Sequence, residues 1–235
     1  MTLFRIATYN VHKCVGLDRR RDPGRTAIVL DELKADVIGL QELDNRSDGT
    51  SESAQMDFLA EKSAYEAVPG FTIKNSNGSY GNALFTRWPV IEKSEIDLSF
   101  RHREPRGAIE AVLLIRDIPI TVIVTHLGLA FTERRHQVAR LSNVISRKTS
   151  GLLILLGDTN EWFPAHRGIR LLHRILGKSP VTRSFPSRLP VFPLDRIWVK
   201  PRNALKKIWI HRSRLAARAS DHLPVVGEVD GSTQR

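Results

Sequence analysis

The chain has 235 residues, 41% of them hydrophobic, and a formal net charge of +11. That length fits one large α/β domain or two small ones, and that apolar content excludes a disordered chain. The charge calls for an anionic partner (nucleic acid, a phosphorylated small molecule or an anionic lipid surface) without choosing among them.

Phe4 to Val11 alternates apolar and polar residues and predicts a strand ending at Asn10. His12 to Asp22 is a loop carrying Lys13, Arg19, Arg20 and Arg21. Asp22-Pro23 is a helix start, Asp as N-cap and Pro as first helical residue, for a short amphipathic helix over Arg25 to Lys34. Asp36 to Glu42 reads as a buried strand ending in a carboxylate. Asn45 to Ser53 is a polar loop, and Ala54 to Tyr65 a helix. Phe71 to Lys74 and Gly81 to Thr86 are strands joined by the turn-rich Asn75 to Ser79, with Val90 to Leu98 another. Arg101 to Arg106 is a densely basic loop. Ile109 to Ile115 and Ile118 to Thr125 form a hairpin around Arg116-Asp117, and the second strand ends at His126.

Glu133 to Arg147 has helical apolar spacing. Leu152 to Leu156 is an unbroken apolar run bounded by glycines, which suits a strand covered on both faces. Gly157 lets the backbone turn, and Asp158 and Asn160 follow at once. His166 to Leu176 is a helix, and the proline-rich Ser179 to Pro193 is loop. Leu194 to Val199 and Ile208 to Ile210 are short strands separated by a basic connection, Lys200 to Lys207. Ser220-Asp221-His222 precedes a last strand, Val225 to Val229, and residues 230–235 are a polar tail. With no internal repeat and no low-complexity linker, residues 1–235 read as one domain of two packed sheets with helices outside.

The single cysteine, Cys14, permits no intrachain disulfide, which is compatible with a reducing compartment. Met1 to Asn10 has no continuous apolar stretch after a basic start, and no segment is long enough to span a bilayer, so a cytoplasmic address is expected.

Polar residues recur where strands stop: Asn10, Glu42, His126, Asp158 with Asn160, Asp195, and Asp221 with His222. Glu42, Asp158 and Asp221 are carboxylates able to meet a cation, and oxygen-rich ligation with little sulfur suits Mg²⁺ or Mn²⁺. Each residue also has a plainer reading. Gly-Asp-Thr-Asn can be only a turn, Asn10 can satisfy a turn, and His126 can be a buried histidine bonded to backbone. Asp195-Arg196 can be a surface ion pair, and Asp221-His222 a cap. Those accounts are independent of one another, whereas one site explains all the residues together.

The motifs Tyr9-Asn10-Val11-His12, Gly39-Leu-Gln-Glu42, Thr125-His126-Leu127, Gly157-Asp-Thr-Asn160, Leu194-Asp195-Arg196 and Ser220-Asp221-His222 resemble those of the endonuclease/exonuclease/phosphatase superfamily. They occur in family order and cover nearly the whole chain. The resemblance implies a four-layer α/β sandwich, with two packed, mostly antiparallel sheets flanked by helices. It also implies Mg²⁺-dependent cleavage of phosphate esters at the sheets' common rim. Carried over by position, Glu42 is the principal metal ligand, helped by Asn10 and Asp221. Asp158 orients or deprotonates the attacking water, and Asn160 binds a phosphate oxygen. His126 and His222 hold the phosphoryl group, and Asp195 pairs with His222 and favours its protonated form.

Gly81-Asn82 and Arg106 also resemble family positions near the site. Asn82 serves phosphate or a turn, and Arg106 serves phosphate or a solvated loop. Trp162-Phe163 can stack on a base or touch an acyl chain, with packing under the loop the favoured reading.

Three positions depart from the family pattern. His12 stands where some repair endonucleases of the family have a second metal-binding carboxylate, leaving one versus two metals open. Thr-His-Leu replaces their Tyr-x-x-Asn, which demotes abasic-site cleavage. Thr159 replaces a common phenylalanine, an expected packing change.

The expected activity is a phosphodiesterase, with nucleic acid the favoured substrate because the charge suits a polyanion. A phospholipid or inositol-phosphate head group is the alternative, since Thr-His-Leu is shared by lipid- and inositol-cleaving relatives. A non-catalytic basic binding module is disfavoured, because no key acid, amide or imidazole is missing. No obligate protein partner is evident.

Overall fold

The computed structural model describes residues 2–46, 54–76, 78–148, 151–163 and 166–234. In chain order its elements are β1 (Leu3–Asn10), α1 (Pro23–Leu33), β2 (Val37–Arg46), α2 (Gln55–Ser63), β3 (Glu66–Asn75), β4 (Gly78–Thr86) and β5 (Val90–Asp97). They continue with β6 (Gly107–Ile115), β7 (Ile118–His126), α3 (Phe131–Ser146), β8 (Leu152–Asp158), α4 (Arg167–Leu176), β9 (Asp195–Lys200), β10 (Leu205–Ile210), α5 (Ala216–Ala219) and β11 (Val225–Asp230). One sheet has the order β10-β11-β1-β2-β4-β3, the other β5-β6-β7-β8-β9. Each sheet holds one parallel pair, β1 with β2 and β7 with β8, and is otherwise antiparallel. α1 and α3 are the crossovers those parallel pairs require.

Three apolar clusters define four layers. The central one joins inner faces of both sheets and includes Ile6, Val37, Leu84, Val124, Leu156 and Ile197. A second packs the six-stranded sheet against α1, α2 and α5 through Ala7, Leu30, Leu59 and Ala216. A third packs the five-stranded sheet against α3 and α4 through Leu141, Leu155, Leu172 and Trp198. The unbroken run of β8 follows directly: Leu152, Ile154 and Leu156 face the other sheet, while Leu153 and Leu155 face the helices. Every position is buried, so no polar alternation survives. Gly39 and Gly70 mark places where the sheets approach closely, since a Cβ there would lie 2.1 Å from Leu156 Cδ1 and from Ile109 Cγ1 respectively.

Several boundaries differ from the sequence reading. β2 does not stop at Glu42 but continues to Arg46 through an irregular register between Leu40 and Leu43. Beyond it, residues 47–53 of the expected polar loop lie outside the described residues. β3 starts at Glu66, ahead of Phe71, and includes Pro69, which a strand tolerates because β3 is an edge. β10 starts at Leu205, three residues before the expected strand. The supposed polar tail is anchored: Asp230 ends β11 and is buried, its Oδ1 accepts from the Thr2 N–H, and Gly231–Gln234 forms a 3-10 turn. No helix among the described residues is long and apolar enough to cross a membrane.

Candidate active site

The inner faces of the two sheets meet in an apolar core that turns polar at one end. Along β7, β8 and β9 the register places His126 opposite Asp158, and Asp158 opposite Asp195. Each of the three has the inward parity of its strand, that of Val124, Leu156 and Ile197. They form a single polar row closing the core. Asn10 stands at the matching end of β1 on the facing sheet. Gly157 makes the row possible, because its φ is +149° and a Cβ there would lie 1.9 Å from the Thr125 carbonyl oxygen.

Asn10 Nδ2 donates to Glu42 Oε1 at 2.9 Å and to Asp158 Oδ2 at 3.0 Å, bridging two carboxylates from different sheets. Its Oδ1 accepts from the His12 N–H, and its backbone carbonyl accepts from Ser220 Oγ. Glu42 occupies the bulge in β2 with φ +61°, a conformation disfavoured for a side chain that redirects its carboxylate toward the rim. Tyr80 bonds it through its phenol.

His126 is buried between Arg106 Nη1, 3.0 Å from its Nδ1, and Asn160 Nδ2, 3.0 Å from its Nε2. A guanidinium only donates, so Nδ1 carries the lone pair and we assign the proton to Nε2. Two N–H groups cannot donate to each other, so the Nε2–H has no hydrogen-bond acceptor among the described residues, Asp158 Oδ2 being 3.6 Å away. Asn160, at φ +49°, instead donates to the Leu127 carbonyl at 2.8 Å. Burial, reinforced by the charges of Arg106 and His222, pushes the His126 pKa well below 6.5, so the ring is neutral.

His222 is the opposite case. Burial is the largest single influence and works against its charge. Asp195, with its charge and a 2.7 Å contact to Nδ1, together with Asp158 and Asp221 more than offsets it, so its pKa is held up at about 10. Ser184 Oγ donates to the same Asp195 oxygen. Asp158 is raised to about 6 by burial and then by Asp195, with His222, the Asn160 N–H and Asn10 pulling the other way. The site thus holds one neutral and one charged imidazole around a carboxylate of elevated proton affinity.

Asp158, Asp195 and His222 each offer a ligand atom, all within 4.8 Å of one another, a spacing that can hold a metal ion. Glu42 and Asp221 are not in that set. Glu42 connects to it through Asn10, whereas Asp221 lies 3.7 Å from His12 Nδ1 on the outer side. The oxygen-rich donors fit a hard divalent ion.

Asn82 is buried beside the site, with Nδ2 donating to the Gly107 carbonyl at 3.3 Å, next to Arg106. Thr159 is more than a packing change, since its hydroxyl donates to the Leu194 carbonyl at 2.8 Å and ties β8's end to β9's start. Trp162 packs edge-on against Phe192, but Phe163 does not pack under the loop and is 71% exposed. Tyr80, Ser184 and Ser220 hold site residues and were not singled out in the sequence. Tyr80 and Ser184 sit in no motif, and Ser220, though it opens the Ser220-Asp221-His222 motif, was given no role there; only folding brings the three to their partners.

The profile of the endonuclease/exonuclease/phosphatase family matches residues 7–222. A full-length relative is the uncharacterized protein YbhP of Escherichia coli K12, 27% identical, with 96% of each chain covered. Similar solved structures include an endonuclease/exonuclease/phosphatase family protein of Bacteroides thetaiotaomicron (TM-score 0.79, 18% identity, 97% of each chain). Another is a mannosyl-6-phosphatase of the same organism (TM-score 0.75, 17% identity, 97% of this chain and 99% of that one). A third is the human Nocturnin catalytic domain with bound sulfate (TM-score 0.71, 20% identity, 97% and 94%). The chain belongs to the endonuclease/exonuclease/phosphatase family.

Proposed function

We propose, from that family membership, that this protein is a divalent-metal-dependent phosphodiesterase. The observation that carries the reading is the polar row itself: Asp158 sits between neutral His126 and charged His222, with Asn10 linking it to Glu42. Such a row has no packing rationale, since burying these groups costs free energy that apolar residues would not.

Glu42, with Asn10 and Asp221, would hold a hard divalent ion, which would supply Lewis-acid neutralisation of phosphate charge and leave the neighbouring Asp158, Asp195 and His222 to the proton transfers. The chain's own groups do the rest. Asp158 orients a water and takes its proton as the water oxygen attacks phosphorus. His126 Nε2–H and the Asn160 amide donate to phosphoryl oxygens where negative charge develops. Protonated His222, fixed by Asp195, stabilises the opposite side and gives its proton to the leaving oxygen as the P–O bond breaks. Arg106 fixes the His126 tautomer and supports the phosphate with its own charge. Keeping His222 charged and His126 neutral assigns acid and donor roles to chemically identical rings.

Nucleic acid is the substrate class favoured by net charge. A phospholipid is the competing class, favoured by the exposed Phe163 at the rim. The test is hydrolysis of bis(p-nitrophenyl) phosphate, single- and double-stranded DNA, RNA, sphingomyelin, phosphatidylglycerol and inositol phosphates, with Mg²⁺ and with chelator. Mg²⁺-dependent turnover that Asp158→Ala removes supports the reading. Turnover of none of them, or turnover unchanged in Asp158→Ala, overturns it.

A further inference from the structure

Three loops leave the rim, one at the site end of each strand in the polar row. Residues 127–130 follow His126, residues 159–163 follow Asp158, and residues 177–194 lead into Asp195. Each is tipped by uncovered apolar side chains. Leu129, Phe163 and Leu189 are 70%, 71% and 71% exposed, the highest values among large apolar side chains of the described residues. Phe131 and Val191 are about half exposed beside them.

The three loops form one surface continuous with the site wall. Arg134 donates to the Leu129 carbonyl and, 3.2 Å away, to Glu161, bridging the first two. Trp162 stacks edge-on against Phe192 at 4.6 Å and Phe185 at 5.8 Å, bridging the second and third. Phe185 in turn lies 4.8 Å from the His222 ring. Pro186, Pro190 and Pro193 restrict the backbone around Leu189 and Val191, so little ordering entropy is lost when those tips are buried.

The charge on these loops has one sign. Their exposed charged side chains are Lys178, Arg183 and Arg188, and Arg212 adds a cation by donating to the Arg188 carbonyl. The single carboxylate, Glu161, is buried and paired with Arg134 and His166.

We propose that this rim docks on an anionic phospholipid bilayer and sets the polar row against the headgroup layer. Phe163 could serve either partner, and the aliphatic tips Leu129 and Leu189, with Val191, decide for lipid over nucleic acid. Leucine and valine have no π face for a base to stack on, whereas they gain by entering acyl chains. The flanking cations then meet the negative surface potential of the same membrane. Docking stands without the hydrolase reading; only a docked lipid acting as substrate rests on it.

The test is co-sedimentation of the full chain with vesicles of phosphatidylcholine alone and of phosphatidylcholine with phosphatidylglycerol. The protein is expected to pellet with the anionic vesicles and much less with the neutral ones. Leu129→Ser/Phe163→Ser/Leu189→Ser is expected to weaken that binding about tenfold or more while soluble bis(p-nitrophenyl) phosphate turnover stays unchanged. An independent readout, needing no rim-stripped variant, is quenching of tryptophan fluorescence by brominated phosphatidylglycerol, lost in Trp162→Phe. Wild-type protein that stays in the supernatant, or a triple variant that pellets like wild type, overturns the proposal. So does quenching absent in the wild type, or a triple variant that loses oligonucleotide binding while keeping vesicle binding. Failure to hydrolyse the soluble ester would instead sink the phosphodiesterase reading and leave docking to be decided by the vesicles.

Discussion

Asn10 and Asp158 are 148 residues apart and end strands in different sheets, yet a 3.0 Å hydrogen bond joins them. That bond crosses the mouth of the sandwich and places a neutral donor where a second carboxylate would repel. Each change below disturbs this mouth or the scaffold behind it.

Asp158→Asn keeps the size and removes the proposed base. It is expected to lower kcat by about 10²- to 10⁴-fold, with KM little changed, because the lost group acts on the attacking water and not on substrate affinity. Steady-state kinetics on the soluble diester decide it, and a variant within threefold of wild type would remove Asp158 from the chemistry.

Glu42→Gln removes a ligand charge and leaves the Asn10 contact able to re-form. The Mg²⁺ concentration for half-maximal rate is expected to rise about 10- to 100-fold, with the maximal rate partly recovered at high Mg²⁺. An unchanged Mg²⁺ titration would place the ion elsewhere.

The His222–Asp195 pair gives a pH signature in metal-free protein. The folded pKa of His222, about 10, lies above the ordinary 6.5. Its stabilisation is therefore complete below pH 6.5 and is lost as pH rises through about 10. Denaturant midpoints in chelator should fall more steeply between pH 7 and 10 for wild type than for Asp195→Asn. Parallel curves would show that Asp195 does not hold the charge.

Gly157→Ala inserts a methyl group 1.9 Å from the Thr125 carbonyl at φ +149°. Strain and overlap together are expected to cost about 2–4 kcal/mol, read as a lower denaturant midpoint at unchanged m-value. A loss below 1 kcal/mol would mean that β7 and β8 yield easily there.

Cys14 is buried, and burial pushes its thiol up to about 12. Native protein at pH 8 should not react with a thiol-specific disulfide reagent, whereas protein in urea should react fully. Rapid native labelling would show that the loop after β1 opens.

Much of the candidate site was legible because its polar residues sit at strand ends and strand ends are marked. His126, Asp158 and Asp195 each border an apolar run, so a linear reading finds them and the ordered motifs name the family. What a linear reading misses is contact. Ser184 holds Asp195 from a proline-rich loop with no pattern of its own, and Ser220 holds the Asn10 carbonyl. Glu42 read as a strand terminus, when it is a bulge inside a longer strand whose register shift aims the carboxylate.

The sequence by itself determined which residues are apolar, at what period, and which polar types follow each run. That sufficed for two sheets, their flanking helices and the identity of the polar set, because burial and turn chemistry are local. Only the tertiary structure decided that two histidines differ in charge. His126 meets a guanidinium and His222 meets a carboxylate, and those neighbours come from distant segments. Burial disfavours charge on both rings, Arg106 adds to it at His126, and the carboxylates offset it at His222. The family resemblance anticipated the His222–Asp195 pair, but nothing in residue order fixes burial or those distances.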